Sequence, residues 1–150
     1  MKKLILISIA LIAMTLSASA EPPILSAPEA KTRMDAGEMI LLDIRTEQEW
    51  RDTGVAKGAW PVSMHTQDFG ARLQAILAVY PPEQIGLICA VGGRTGHVTQ
   101  VLERNGIAGI IDVSEGMMGN ERGAGWVARG LDVVPLDQAQ SDYEAATANW

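Results

Sequence analysis

The 150-residue sequence is poor in cysteine, histidine and basic residues, and each shortage excludes a class of protein. Cys89 is the only cysteine, so no disulfide can form within one chain. The two histidines, His65 and His97, lie far apart in the sequence, whereas zinc sites usually need three or four ligands; we therefore expect no metal and no other cofactor. Twelve Lys and Arg residues stand against 18 Asp and Glu residues, for a net charge of −6. This balance offers no basic face, so nucleic acid is not an expected partner.

The sequence also lacks an apolar run long enough to span a bilayer. Lys2 and Lys3 precede an apolar stretch from Leu4 to Leu16, which is shorter than the roughly 20 residues that a spanning helix needs. The small residues 18–20 then resemble the cleavage site of a secretory signal. Residues 1–20 are therefore predicted to be a signal peptide, which places the mature chain in the periplasm or outside the cell. Loss of Lys2 and Lys3 would move the net charge from −6 to −8, and no stable membrane anchor is expected to remain.

Strand and helix signals alternate along the rest of the chain, which predicts a single α/β domain over residues 21–136 and a polar tail over residues 137–150. Four or five strands joined by helices imply a mostly parallel sheet with helices on both faces, because parallel neighbours need a crossover between them. Capping-box pairs, Ser26 with Glu29 and Thr46 with Glu49, mark two helix starts. Predicted strands cover 39–44, 59–62, 85–88, 110–113 and 133–134, and further helices cover 68–79, 95–105 and 125–129.

Cys89 lies between a predicted strand and a predicted helix, at the edge of the sheet where open α/β folds bind ligands. The loop that follows contains two glycines, an arginine and the start of the helix, which favours a curled backbone whose N–H groups surround an anion. These donors, the helix N-terminus and the Arg94 guanidinium all favour thiolate over thiol. A buried thiol that serves only as a small apolar side chain is the alternative for a lone cysteine. The loop reads Cys89-Ala90-Val91-Gly92-Gly93-Arg94-Thr95-Gly96.

The loop, the strand motif Leu42-Asp43-Ile44-Arg45, the pair Gly58-Ala59 and the Trp126-containing segment 123–131 together resemble the rhodanese family. The resemblance covers about residues 26–135 and implies the rhodanese-like fold. It implies that Cys89 is the nucleophile and that Arg94 holds the anionic end of a donor or product. It further implies that Asp43 and Arg45 support the structure. The anion-binding loop that it implies comprises Ala90, Val91, Gly92, Gly93 and Thr95.

The activity that this resemblance implies is sulfur transfer. Cys89 would take a sulfur atom from thiosulfate or a similar small anionic donor, hold it as a persulfide, and pass it to cyanide or to a thiol, which can belong to a protein. A sulfur carrier or partner-binding module that does not turn over small donors is the alternative. Phosphatase or arsenate reductase activity ranks lower, because phosphatases place five residues between the cysteine and the arginine, and here there are four.

The sequence departs from the family in two places. Many members have a Gly-His-Ile triplet before the Gly-Ala pair, but residues 54–59 contain no histidine, which affects local packing more than chemistry. The stretch from Gly116 to Gly123 is longer than the family leads us to expect. It either covers the site or forms a solvated loop, and nothing in the sequence orients His65 or His97 toward the cysteine.

Overall fold

Five short parallel strands form the central sheet of the computed structural model, which describes residues 21–150. The predicted signal peptide lies outside the described residues. Every pairing within the five-stranded sheet is parallel, and its strand order is β1-β6-β5-β2-β4. The remaining two strands, β3 and β7, form a separate antiparallel pair. The strands are β1 (Ile24–Leu25), β2 (Ile40–Asp43), β3 (Val55–Ala56), β4 (Trp60–Pro61), β5 (Ile85–Ile88), β6 (Ile111–Val113) and β7 (Val133–Val134).

Helices connect the strands, and both predicted capping boxes are present. The Ser26 and Glu29 side chains cap the first helix, and those of Thr46 and Glu49 cap the second. Gly54, with a φ of 76°, ends the second helix. Within residues 21–150 no helix has the length and apolar character that a bilayer crossing requires. The helices are α1 (Ala27–Asp35), α2 (Glu47–Thr53), α3 (Phe69–Leu77), α4 (Gly93–Arg104), α5 (Gly125–Ala128) and α6 (Leu136–Thr147), and a 3-10 turn (Pro82–Gln84) precedes β5.

The two faces of the sheet support two separate hydrophobic clusters. Successive strand residues point to opposite faces, so Leu41 and Ile88 join one cluster, while Leu42 and Leu87 join the other. The first cluster includes residues of α1, α2 and α5, and the second includes residues of α3 and α4. The helices therefore cover both faces, and the predicted α/β architecture is confirmed. Cys89 belongs to the α3 and α4 side.

The prediction of a polar tail over residues 137–150 is wrong as a description of structure. Most of this segment forms α6, which packs against the edge strand β4. Leu136 and Ala139 are buried, and the ring centroid of Tyr143 lies 5.4 Å from that of Trp60. The apolar side chains are spaced three and four residues apart and share one helix face, although polar residues outnumber them and hide the pattern.

Two short strands were also absent from the sequence-based prediction. Both β1 and β3 contain two residues each, which is too few to show a strand periodicity. Pairing partners fix them instead: β1 pairs with β6, and β3 pairs with β7. These pairings join segments that are far apart in the sequence, so a local sequence pattern cannot predict them.

Candidate active site at the Cys89 loop

The Cys89 loop runs from the carboxyl end of β5 to the first residue of α4. Gly92 makes the turn between them in the left-handed region, with a φ of 83°. A Cβ on Gly92 would lie 2.0 Å from the carbonyl oxygen of Ser114, so a side chain is excluded by space as well as by backbone conformation. The adjacent Gly93 has open space around it. The two glycines of the loop therefore have different roles, and only Gly92 is required by geometry.

The sulfur of Cys89 is enclosed but has polar partners. The Gly92 backbone N–H donates to Sγ at 3.2 Å, and the Thr95 hydroxyl oxygen lies 3.8 Å from Sγ. The Thr95 hydroxyl also donates to the Gly92 carbonyl oxygen at 3.0 Å, which draws the first turn of α4 against the loop. Cys89 is 1% exposed and packs with apolar residues such as Leu87 and Val98. The side chain is thus both a member of the core and a hydrogen-bond acceptor.

The first carbonyl groups of the loop are bound by a segment that lies outside it. The oxygens of Cys89 and Ala90 accept the backbone N–H groups of Met117 and Met118, each at 2.8 Å. A trans peptide directs its N–H away from its C=O, so these two hydrogen bonds also restrain the orientation of the N–H groups of Ala90 and Val91. Space here is tight, since a Cβ on Gly116 would lie 2.5 Å from the Ala90 oxygen. Among the described residues the Gly92 N–H is the backbone group that donates to the sulfur, and the Met117 and Met118 amides hold the preceding part of the loop in place.

Arg94 closes the loop and is engaged by Glu49 of α2. Its guanidinium donates to both carboxylate oxygens of Glu49: Nη1 lies 2.8 Å from Oε2, and Nη2 donates to Oε1. Nη1 also lies 3.3 Å from His65 Nε2. The hydrogen bond from Arg94 is the main reason that the pKa of Glu49 falls to about 2. The pKa of Arg94 is raised, chiefly by Glu49 and to a smaller degree by the nearby Cys89. The negative charge of Glu49 therefore balances the positive charge of Arg94 beside the sulfur.

The Asp43–Arg45 pair is buried and positions α2. Arg45 donates to Asp43 Oδ2 from Nη2 at 2.7 Å and from Nε to Oδ1 at 2.9 Å. The same guanidinium donates to the Thr53 hydroxyl and to the Gly54 carbonyl oxygen, each at 2.7 Å. Arg45 thereby ties the end of β2 to the end of α2, the helix that carries Glu49. That Asp43 and Arg45 support the structure stays a prediction from the resemblance.

The segment from Gly116 to Gly123 packs behind the Cys89 loop. The sequence left two alternatives, a cover over the site or a solvated loop; residues 120–122 are exposed, as in a solvated loop, whereas Gly116 and Met117 are buried. Its first residues bind the loop through the Met117 and Met118 amides, and Asn120 Nδ2 donates to the Val91 carbonyl oxygen at 2.8 Å. Glu115, just before it, is buried and accepts from the Ala27 and Gly125 amides. The segment supports the loop from outside.

A cavity of about 790 Å³ lies beside α4, and Cys89 does not line it. Its walls include Val91, Gly92, His97 and Asp112. His97 is exposed there, whereas His65 is the histidine that approaches the loop arginine. Asp112 Oδ1 is buried without a hydrogen-bond partner, and burial raises the pKa of this carboxyl group. Within the part of the chain that the structure describes, no cluster of three metal-ligating side chains occurs.

Sequence reasoning did not identify Glu49 or Asn120 as site residues. Glu49 was read only as a capping residue, which it also is, since its Oε2 accepts from the Thr46 amide and hydroxyl. Its second partner, Arg94, lies 45 positions away. Asn120 lies in the stretch that departs from the family pattern, so the resemblance gave it no role. The order of the strands, which brings these segments together, was the missing information.

Comparison with known proteins identifies the family and the fold. A family model described as a rhodanese-like domain matches residues 26–121. Similar solved structures include a rhodanese-like domain from Anabaena sp. (20% identity, covering 79% of this chain and 83% of that chain, TM-score 0.58) and a protein from M. tuberculosis (24% identity, 75% and 96%, TM-score 0.54). Thiosulfate sulfurtransferase from Pseudomonas aeruginosa is 24% identical over 85% of this chain and 24% of that chain, with a TM-score of 0.51. No curated protein sequence matches. At these identities the solved structures show a common fold.

Proposed function

The chain belongs to the rhodanese-like domain family, and on this premise we propose that it is a sulfurtransferase that carries sulfur on Cys89. The observation that supports this most is the contact between the Gly92 amide and the Cys89 sulfur at the head of α4. A backbone N–H and the positive end of a helix both stabilise a thiolate. The same donors would stabilise the terminal sulfur of a persulfide.

In the first half of the proposed reaction, the Cys89 thiolate attacks the outer sulfur of thiosulfate. A new S–S bond forms at Sγ while the S–S bond of the donor breaks, and sulfite leaves with the electron pair of that bond. The total charge is unchanged, because a thiolate and a dianion become a persulfide anion and a dianion. No oxidant, reductant or metal is needed for this step.

In the second half, cyanide or an acceptor thiolate attacks the outer sulfur of the persulfide. The bond between that sulfur and Cys89 Sγ breaks, and the thiolate of Cys89 is regenerated with the electron pair. The product is thiocyanate or an acceptor persulfide. Because donor and acceptor react in turn at one atom, the kinetics are expected to be ping-pong.

Intact-mass spectrometry and a thiocyanate assay test this proposal together. Incubation of residues 21–150 with thiosulfate is expected to add the mass of one sulfur atom, and subsequent cyanide is expected to remove it as thiocyanate. Cys89→Ser keeps the size of the side chain and should abolish both signals. Thiocyanate formation that persists in Cys89→Ser would show that the proposed mechanism is wrong, as would an unmodified mass in the unaltered protein.

The enclosure of Cys89 favours one alternative, a sulfur carrier that serves a protein partner. With 1% of the residue exposed, a donor reaches Sγ only after neighbouring groups shift, and binding of a protein could supply that shift. A sulfur adduct that forms but gives no thiocyanate, and that moves only to a protein thiol, would support the carrier. Rapid thiocyanate formation would support the enzyme.

We also propose that the protein acts outside the cytoplasm after loss of residues 1–20. The support is the charged start, the short apolar stretch and the small residues at 18–20, which together are typical of a secretory signal. N-terminal sequencing of the protein recovered from a periplasmic or extracellular fraction should begin at Glu21. Recovery of the intact chain in the cytoplasm alone would contradict export.

A further inference from the structure

One peptide group of the loop is held from both sides. The carbonyl oxygen of Val91 and the amide of Gly92 belong to the same peptide unit. Its oxygen accepts from Asn120 Nδ2 at 2.8 Å, and its N–H donates to Cys89 Sγ at 3.2 Å. Because the two groups of a trans peptide point in opposite directions, any rotation that frees the oxygen also turns the N–H away from the sulfur.

Gly92 itself places little restriction on the rotation of this peptide. Glycine occupies positive and negative φ with similar ease, and the φ of Gly92 is 83°. No side chain on Gly92 restricts a flip of the preceding peptide. An external hydrogen bond is therefore needed to select the orientation that aims the N–H at Cys89.

Asn120 is itself fixed, so it can act as that external restraint. Its Nδ2 donates a second hydrogen bond to the Ser114 carbonyl oxygen at 2.7 Å, and its Oδ1 accepts the Arg122 amide at 2.7 Å. Its backbone amide donates to the Gly123 carbonyl oxygen at 2.9 Å in a small hairpin. Two carbonyl acceptors face Nδ2, so the NH₂ end of the Asn120 amide satisfies both and its oxygen end could satisfy neither.

We propose that Asn120 is a positioning residue for Cys89: it orients the Val91–Gly92 peptide so that the Gly92 N–H donates to the sulfur. The inference rests on the proposed function in that it assigns Asn120 to the same reactive thiol. It gives the long Gly116–Gly123 stretch a role in setting the reactivity of Cys89. The side-chain hydrogen bonds of Asn120 do not reach the sulfur, and it acts through the peptide.

The test compares Asn120→Ala and Asn120→Asp with Asn105→Ala. Asn105 also donates its side-chain N–H to a backbone oxygen, that of Val101 at 2.7 Å, but at the far end of α4. The thiolate is followed by its ultraviolet absorbance against pH, with Cys89→Ser as the blank, and this readout requires no sulfur transfer. Thiocyanate formation and thermal unfolding are measured on the same samples.

Loss of one oriented hydrogen bond to the sulfur should move the thiolate transition of Asn120→Ala to higher pH, because a donated hydrogen bond favours the ionised form. The rate of thiocyanate formation at neutral pH should fall about three- to tenfold. Asn120→Asp places a carboxylate against two carbonyl oxygens and should have a larger effect than Asn120→Ala. Asn105→Ala should leave the thiolate transition in place.

Unchanged thiolate transitions in both Asn120 variants would overturn the inference, and so would a shift of equal size in Asn105→Ala. A variant that unfolds is replaced in the comparison by the other substitution at the same position. If the transition shifts in the Asn120 variants while the unaltered protein transfers no sulfur, the positioning role stands and the proposed function fails. The two failures are therefore distinguishable.

Discussion

Arg94 and Glu49 neutralise each other beside the single cysteine. The guanidinium donates to both oxygens of the carboxylate, although the residues lie on different helices and 45 positions apart. The only charged side chain of the Cys89 loop is therefore already paired before a donor arrives. An anion that binds at the loop competes with Glu49 for Arg94, and the carboxylate also repels it.

Glu49→Gln should strengthen the binding of an anionic sulfur donor. The substitution removes one negative charge next to Arg94 but keeps an oxygen that can cap α2, since glutamine also serves in a capping box. We expect the KM for thiosulfate to fall about fivefold, which corresponds to about 1 kcal/mol for a partly exposed charge. Glu47→Gln, on the exposed face of the same helix, is the control. An unchanged or higher KM in Glu49→Gln would contradict this account.

The same ion pair should make stability depend on pH in the acid range. The pKa of Glu49 is lowered from 4.5 to about 2, mainly by the hydrogen bond from Arg94. A depressed carboxyl pKa contributes stability above the unfolded value, and that contribution is lost as pH falls from about 4.5 toward 2. Since both side chains are about 30% exposed, we expect about 1 kcal/mol after screening. Urea unfolding at about pH 6 and about pH 3 should show a smaller difference in Glu49→Gln than in the unaltered protein.

The buried pair of Asp43 and Arg45 should contribute to stability far more than an exposed pair. Arg45→Met leaves the Asp43 carboxylate buried without its counter-ion, which costs about 3 to 5 kcal/mol. Arg51→Met is the matched control, because Arg51 pairs with Glu47 on the surface, and it should cost about 0.5 kcal/mol or less. Urea unfolding measures both. Equal losses of unfolding free energy in Arg45→Met and Arg51→Met would show that burial does not increase the contribution of the Asp43–Arg45 pair.

Local signals in the sequence were sufficient to predict most elements of the fold. The capping pairs at Ser26 and Thr46 and the apolar runs around β2, β5 and β6 are short-range patterns, and the structure follows them. The position of Cys89 at a strand end came from the same patterns. What could not be predicted depends on strand order and side-chain direction, as in the contact between Arg94 and Glu49. The support of Val91 by Asn120 is of the same kind, since it joins residues 29 positions apart.

Gly92 and Gly93 are adjacent but should respond oppositely to alanine. Gly92→Ala introduces a Cβ 2.0 Å from the Ser114 oxygen at a φ of 83°, which should cost at least about 2 kcal/mol and abolish sulfur transfer. Gly93 opens α4 with nothing within 4 Å of a Cβ, so Gly93→Ala should retain stability and activity. Unfolding midpoints and thiocyanate rates check both variants. A tolerated Gly92→Ala would mean that the turn can be rebuilt without its left-handed residue.

The aromatic contacts of α6 should make residues 136–147 part of the cooperative fold. Trp60 of the edge strand β4 is 8% exposed, and Tyr143 covers it with ring centroids 5.4 Å apart while Arg72 lies 5.6 Å from the Tyr143 ring centroid. Tyr143→Ala removes the ring and uncovers Trp60. It should lower the free energy of unfolding by about 1.5 to 3 kcal/mol. Glu144→Ala changes the next, exposed position of the same helix and should have an effect of less than about 0.5 kcal/mol. If both variants unfold at the same urea concentration as the unaltered protein, α6 is a solvated tail despite its helical form. A loss confined to Tyr143→Ala would show that a polar composition concealed an element that the edge of the sheet requires.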